Sequence, residues 1–198
     1  MIGEVRRSLA KPIARLPARL LAKSGVSPNA LTIFGFLIAL VIAPLLATGH
    51  LFLSGFLVLL SGAFDLLDGT VARLKGESTV FGALLDSTLD RFAEAALFIG
   101  LLAYYANRPG SLQEIILVAA ALVGSMMTSY IRARSEGLAL KCEVGIFTRP
   151  ERVVLLAIGL IFNELLVVLW IIAILATLTA WQRLFHIWRQ TNKQGQGQ

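Results

Sequence analysis

The chain has 198 residues, 57% hydrophobic and 15% charged, with a net charge of +6 and a mean hydropathy of +0.76. Soluble domains carry about 45–50% apolar and about 25% charged residues, so lipid is the main solvent here, and both a disordered chain and a large soluble enzyme are excluded. Cys142 alone excludes an intrachain disulfide, and His50 and His186 are too few for a His-rich zinc site. The basic residues sit between apolar runs rather than on one soluble face. Anionic headgroups and phosphorylated substrates therefore fit them better than nucleic acid.

Residues 1–29 come first. Arg7, Lys11, Arg15, Arg19 and Lys23 recur every four positions, with Val5, Leu9, Ile13, Leu16 and Leu20 between them. That spacing suits either short amphipathic pieces at the inner headgroup level or a basic segment that orients the chain. The long basic stretch with Pro12 and Pro17 argues against a cleavable signal peptide. Crossing about 30 Å of hydrocarbon takes about 20 helical residues, and apolar runs of that order lie at 30–48, 51–72, 80–104 and 112–133. The run at 153–162 rises only about 15 Å before Asn163-Glu164 interrupts it, and 165–181 is apolar again. Either 153–181 is one long helix, or a fifth span begins near Gly145 and a tight turn at Asn163-Glu164 leads to a sixth.

Charge decides between them. With six spans and the N-terminus inside, 16 of the 18 Lys and Arg fall on the cytoplasmic side, leaving Arg108 outside and Arg91 within a span. Positive-inside topology requires this asymmetry, whereas five spans would put the basic tail outside. The expected fold is an all-α integral membrane protein. Six transmembrane helices occupy 30–188, behind the interfacial segment 1–29 and ahead of a disordered, Gln- and Gly-rich tail at 189–198.

Ionisable groups within a span cost about 2.5–3.5 kcal/mol each and mark function by default. Asp65 and Asp68 lie near the cytoplasmic end of the second span, Asp86 and Asp90 near the start of the third. The i,i+3 and i,i+4 spacings put each pair on one helix face, and the short loop between the spans lets the faces converge. Carboxylates this close repel one another unless a cation holds them. Hard oxygen donors suit Mg²⁺, Mn²⁺ or Ca²⁺, and two ions would fit four acids. Salt bridging to Arg73 and Arg91 is the competing account, and two arginines cannot neutralise four acids. Gly69 and Gly82 would let a ligand or facing backbone approach closely, and Arg73 can meet a phosphate bidentately.

Residues 64–90 read FDLLDGTVARLKGESTVFGALLDSTLD, with D-x2-D-G-x2-A-R-x8-G-x3-D-x3-D from Asp65 to Asp90. With these eight positions the chain resembles the CDP-alcohol phosphotransferase (CDP-alcohol phosphatidyltransferase) family, and Ser27-Pro28-Asn29 with Thr32 resemble that family's nucleotide-contacting mouth. The resemblance implies a metal-dependent displacement. An alcohol attacks the β-phosphate of CDP-diacylglycerol or CDP-archaeol, and CMP leaves. By position it implies Asp65, Asp68 and Asp86 as metal ligands with Mg²⁺ or Mn²⁺, two ions, and Asp90 as general base that also touches the second metal. Pro28, Asn29, Gly69, Ala72, Arg73, Thr79 and Gly82 would line the CDP-lipid site. The family also implies a homodimer.

The stretch SYIRARSEGLALKCEVGIFTRPERVVLL and the later QRLFHIW resemble the branch that makes phosphatidylinositol phosphate or archaetidylinositol phosphate. Arg132, Arg134, Arg149, Arg152 and Arg183 converge on one membrane side and would bind the phosphate of an acceptor such as inositol 1-phosphate. They would equally serve glycerol 3-phosphate in a phosphatidylglycerophosphate synthase, or simply contact headgroups. A divalent-cation transporter is the alternative from another class, although such sites lie near the midplane. Cys142 reads as a passive loop residue, and His50 and His186 are not placed for catalysis. Glu94 either orients a neighbour or pairs with Arg91.

Overall fold

The computed structural model describes residues 17–22 and 25–195. Six long helices follow one another: α1 (Pro28–Ala47), α2 (Leu51–Lys75), α3 (Val80–Ala106), α4 (Leu112–Gly137), α5 (Arg149–Ile161) and α6 (Leu165–Gly195). No strand occurs among the described residues. Local chemistry sets the boundaries around the acidic loop. Ser27 caps α1 by accepting the Ala30 N–H, with Pro28 in the first turn, where a missing N–H costs nothing. Gly76 ends α2 in the left-handed region at φ 68°, and Thr79 opens α3 by accepting the Gly82 N–H at 2.9 Å. Thr148 and Glu151 form a capping box at the start of α5. The α5–α6 turn passes through Asn163 at φ 58°, a conformation asparagine tolerates better than most residues. The interruption at Asn163-Glu164 is thus a tight turn, not a break within one long helix.

α1, α2, α4 and the 165–192 part of α6 are long and apolar enough to cross a membrane. α3 matches them in length but carries Asp86, Asp90, Arg91 and Glu94, and α5 has 13 residues, about 20 Å of helix. Phe52, Phe56, Ile99, Ile116, Val123, Trp170, Ile174 and Leu178 project outward, forming a surface whose natural solvent is hydrocarbon.

The main helix contacts close a ring in the order α1–α2–α5–α6–α4–α3 and back to α1. Its apolar interior includes Ile42, Leu46, Val58, Phe98, Leu101, Val118, Leu160, Leu169 and Ile172. Because helices surrounded by lipid gain little from the hydrophobic effect, close van der Waals approach at small residues holds them together. Gly100 packs against the Ala43 backbone of α1, Gly55 against Ala157 and Ile161 of α5, and Gly124 against Ala176 and Thr177 of α6. A smaller apolar cluster joins Ala18 and Leu21 to Leu31 and Val71, so the helical residues 17–22 lean on α1 and α2. Most of the amphipathic repeat expected at 1–29 lies outside the described residues.

The chain end departs from expectation. Residues 189–195 continue α6 rather than starting a tail. Phe185 stacks on Trp188 with ring centroids 5.4 Å apart, and the Arg189 guanidinium lies 4.3 Å from the Phe185 centroid.

A Cβ on Gly100 would sit 2.6 Å from the Ala43 carbonyl oxygen, and backbone cannot yield as a side chain can. Overpacking of this kind costs about 1–3 kcal/mol. Gly100→Val should therefore lower the Tm in detergent by about 2–10 °C. Gly137→Ala, where an added Cβ meets nothing within 4 Å, should leave it in place.

Candidate active site

All six helices send polar side chains to the same end of the ring: Thr32 from α1, Asp65 and Asp68 from α2, Asp86, Asp90 and Glu94 from α3, Thr128 from α4, Arg149 and Arg152 from α5, and Arg183 from α6. Two cavities open there. One, of about 170 Å³, lies between α1, the end of α2 and the start of α3. Its lining includes all seven residues expected around a nucleotide: Pro28, Asn29, Gly69, Ala72, Arg73, Thr79 and Gly82. The other, of about 430 Å³, lies between α3, α4, α5 and α6 and is lined by Asp86, Asp90, Thr128, Arg132, Arg149, Arg152 and Arg183. Asp86 belongs to both.

The acids are held individually. Asp68 is buried, and its Oδ2 accepts the Thr32 hydroxyl at 2.6 Å while Oδ1 accepts the Gly69 N–H. Asp65 fits against α1 because position 35 is glycine: a Cβ there would lie 3.3 Å from Asp65 Oδ1. The Ser61 hydroxyl donates to the Gly35 carbonyl at 3.0 Å and fixes this approach. Arg149 Nη1 lies 2.7 Å from Asp65 Oδ2 and 2.9 Å from Asp90 Oδ1. Among the described residues Arg91 and Arg73 form no ion pair with the acids: Arg91 donates to the Ser87 carbonyl, and Arg73 to the Thr70 hydroxyl at 3.2 Å. Among the described residues no three acids, His or Cys already stand in a metal-holding arrangement.

Four of the five expected phosphate-binding arginines line the larger cavity, and Arg134 does not. Arg132 pairs with Glu136 at 2.9 Å at the exposed rim. Arg152 is 2% exposed and meets both oxygens of Glu94, at 2.7 and 3.0 Å, and the Thr128 hydroxyl at 3.2 Å. Glu94 therefore pairs with Arg152, not Arg91. Arg183, 5% exposed, donates to the Val144 carbonyl at 2.9 Å and to the Thr128 carbonyl. Thr128 carries no signal in the sequence pattern, whereas Glu94 stands four residues after Asp90 and so on its face. Cys142 is buried in the α4–α5 loop, and burial pushes its thiol up, away from the nucleophilic thiolate. Neither His50 nor His186 lines the two cavities.

One acid shared between a narrow groove and an arginine-walled cavity, within a bundle coated in apolar side chains, fits a multi-pass membrane protein with a polar site at one end. Its family match makes it an enzyme of the group-transfer class. The chain belongs to the CDP-alcohol phosphatidyltransferase family, which it matches over residues 25–188. Its relatives include the phosphatidylinositol phosphate synthase of Mycobacteroides abscessus, 36% identical over 195 residues, covering 94% of this chain and 89% of that protein. The archaetidylinositol phosphate synthase of Pyrococcus horikoshii is 33% identical over 187 residues, covering 94% and 96%. A crystal structure of the Mycobacterium tuberculosis phosphatidylinositol phosphate synthase with CDP-DAG bound superposes with a TM-score of 0.80 at 34% identity, over 91% of this chain and 94% of that one. The same enzyme in complex with manganese and citrate gives 0.81 at 34%, over 90% and 88%.

The Thr32–Asp68 bond ties α1 to the acid cluster in a buried setting, where a hydrogen bond to a charged group is worth about 1.5–3 kcal/mol. Thr32→Val should keep the fold and cut CMP release from CDP-lipid about 10- to 100-fold, and Thr32→Ser should restore most of it.

Proposed function

We propose that the chain transfers the phosphatidyl or archaetidyl group of a CDP-lipid to a hydroxyl of a phosphorylated polyol, inositol 1-phosphate, with release of CMP. The observation that carries the phosphorylated acceptor is Arg183. Its guanidinium is buried in the wall of the larger cavity, and the bonds it makes run to two backbone carbonyls rather than to a carboxylate. Burying a charge is costly without a counter-charge, and an acceptor phosphate would supply one. The names of the relatives from Mycobacteroides abscessus and Pyrococcus horikoshii support inositol phosphate as the acceptor and leave both lipid donors in the reading.

In this reading the CDP moiety of the donor occupies the groove beside Asn29, Gly69 and Gly82, with Arg73 on its diphosphate. The acceptor enters the larger cavity with its phosphate toward Arg183, Arg152 and Arg132. Asp90 takes the hydroxyl proton as the oxygen bonds to the β-phosphorus and the phosphorus–oxygen bond to CMP breaks. Asp65, Asp68, Asp86 and Asp90 fit a divalent cation by donor chemistry, since all four are hard oxygen ligands near enough to repel one another. The manganese complex of the Mycobacterium tuberculosis enzyme supports the same fit. When bound, Mg²⁺ or Mn²⁺, as two ions, supplies neutralising charge for the diphosphate. Arg149 then has a role besides phosphate binding, as counter-charge to Asp65 and Asp90.

The reading includes six crossings, with α3 and α5 completing the four apolar helices, both termini and the active site on the cytoplasmic side, and a homodimer. The positive-inside distribution supports the orientation.

Purified protein with CDP-lipid, Mg²⁺ or Mn²⁺ and a panel of alcohols tests the function. CMP should appear with inositol 1-phosphate well ahead of free inositol, and a clear preference for glycerol 3-phosphate would reassign the acceptor. Excess chelator should abolish CMP release, and Mg²⁺ or Mn²⁺ should restore it; full activity in chelator would reject metal dependence. Arg183→Gln should raise the acceptor KM on the order of 10- to 100-fold while the CDP-lipid KM stays within about twofold.

A further inference from the structure

Glu94 takes no part in the proposed reaction, yet it is a carboxylic acid only 4% exposed at the polar end of the ring. Both its oxygens are spent on Arg152, at 2.7 Å from Nε and 3.0 Å from Nη2. The Arg152 Nη1 meets the Thr128 hydroxyl at 3.2 Å, and that hydroxyl in turn donates to the Ser125 carbonyl at 2.7 Å. The Thr128 carbonyl accepts from Arg183 Nη1. One residue of α4 thus sits between the two buried arginines, and Glu94 fixes the plane of the first. A guanidinium has five N–H donors in a rigid fork. The three bonds described hold the plane and leave two N–H groups on the edge of a side chain that lines the larger cavity.

Resting on the proposed acceptor site, we propose that Glu94 is its positioning residue. Through the two-point contact with Arg152 it sets the direction in which Arg152, and with it the Thr128–Arg183 pair, presents N–H donors to the acceptor's phosphate. It does so without touching either substrate. A carboxylate is suited to this because a two-point contact with a guanidinium fixes rotation as well as distance. A neutral amide at position 94 keeps the volume but offers one acceptor, so the fork can swing.

The test is kinetic and uses the full chain in detergent or lipid. Glu94→Gln should raise the KM for the phosphorylated acceptor by about tenfold, the scale of one charge-assisted hydrogen bond, and leave the CDP-lipid KM within twofold. Adding Glu94→Gln to Arg152→Gln should raise the acceptor KM no further than Arg152→Gln alone, because the first residue acts only through the second. Glu94→Asp keeps the charge but draws the fork back, and should give a smaller rise in the same parameter. Additive effects in the double variant, or a fall in kcat with an unchanged acceptor KM, would overturn the proposal. If Glu94→Gln alone does not yield folded protein, Glu94→Asp and the double variant, which buries no unpaired arginine charge, decide it by the same criteria. The wild-type alcohol panel separates the two readings. Indifference to the acceptor's phosphate rejects the proposed function whatever Glu94 does, whereas a required phosphate with an unaffected Glu94→Gln acceptor KM rejects only the positioning role.

Discussion

Charge buried in a low-dielectric bundle costs several kcal/mol per ion unless another charge stands beside it, and the interior of this ring follows from that constraint. The α3–α5 pair is not among the main helix contacts, yet side chains of the two helices meet across the ring as two ionic rungs. Arg149 reaches Asp90 at 2.9 Å and Arg152 reaches Glu94 at 2.7 Å. The acids are four residues apart on α3 and the arginines three apart on α5, so each helix offers one face. The first rung lies at the acid cluster and also holds Asp65; the second is deeper and almost wholly buried. α5 begins where it must for both rungs to form. Its capping box puts Arg149 at the first helical turn, and the capped backbone holds the rungs in register.

The ladder divides the polar end of the ring in two. On one side, glycines and the short side chains of α1, α2 and α3 leave a groove into which the backbone can admit a ligand. On the other, longer arginines wall a larger space between α3, α4, α5 and α6. Asp86 faces both. A donor held by its lipid tails at the ring's apolar surface and an acceptor arriving from water therefore need not share an entrance. On the proposed function their reacting atoms would meet near Asp86, which lines both spaces. The approach at Gly35, Gly55 and Gly100 is part of the same design, because a ring held by small-residue contacts brings facing carboxylates near without large side chains between them.

Much of this was legible in the sequence. The acidic motif, its junction between two helices, the start of α3 at Val80 and the turn at Asn163-Glu164 are local, and local patterns carry them. The groove was legible too, since its residues cluster around two short loops. What the sequence could not supply was partnership across the ring: Arg149 and Asp65 are 84 positions apart, and Arg152 and Glu94 are 58. A count of charges leaves every acid able to pair with several arginines. Only helix packing decides among them, and it gives Arg149 two acids, while Arg73 and Arg91 bond to Thr70 and Ser87. Arg132 and Arg134 are two residues apart on one helix, and residues so spaced do not share a face, so both could not line the cavity that Arg132 lines alone.

The uneven charge pairing around the larger cavity bears on selectivity. Arg132, Arg149 and Arg152 each have a carboxylate at ion-pair distance, while the bonds of Arg183 end on carbonyl oxygens. Arg149 and Arg152 are held by largely buried acids, whereas Arg132 pairs at the exposed rim, where an ion pair contributes little. Arg91, which also lines the cavity, bonds to a carbonyl too but is only half-buried. On the proposed function it is the buried Arg183 that would set the preference, because an alcohol without a phosphate would seal over its cation without answering the charge. A site discriminates most strongly when the wrong ligand leaves a buried polar group unsatisfied, and much less when it merely fits badly. On that argument the proposed acceptor's phosphate would be selected less by the number of arginines facing it than by the buried one that ends on carbonyls.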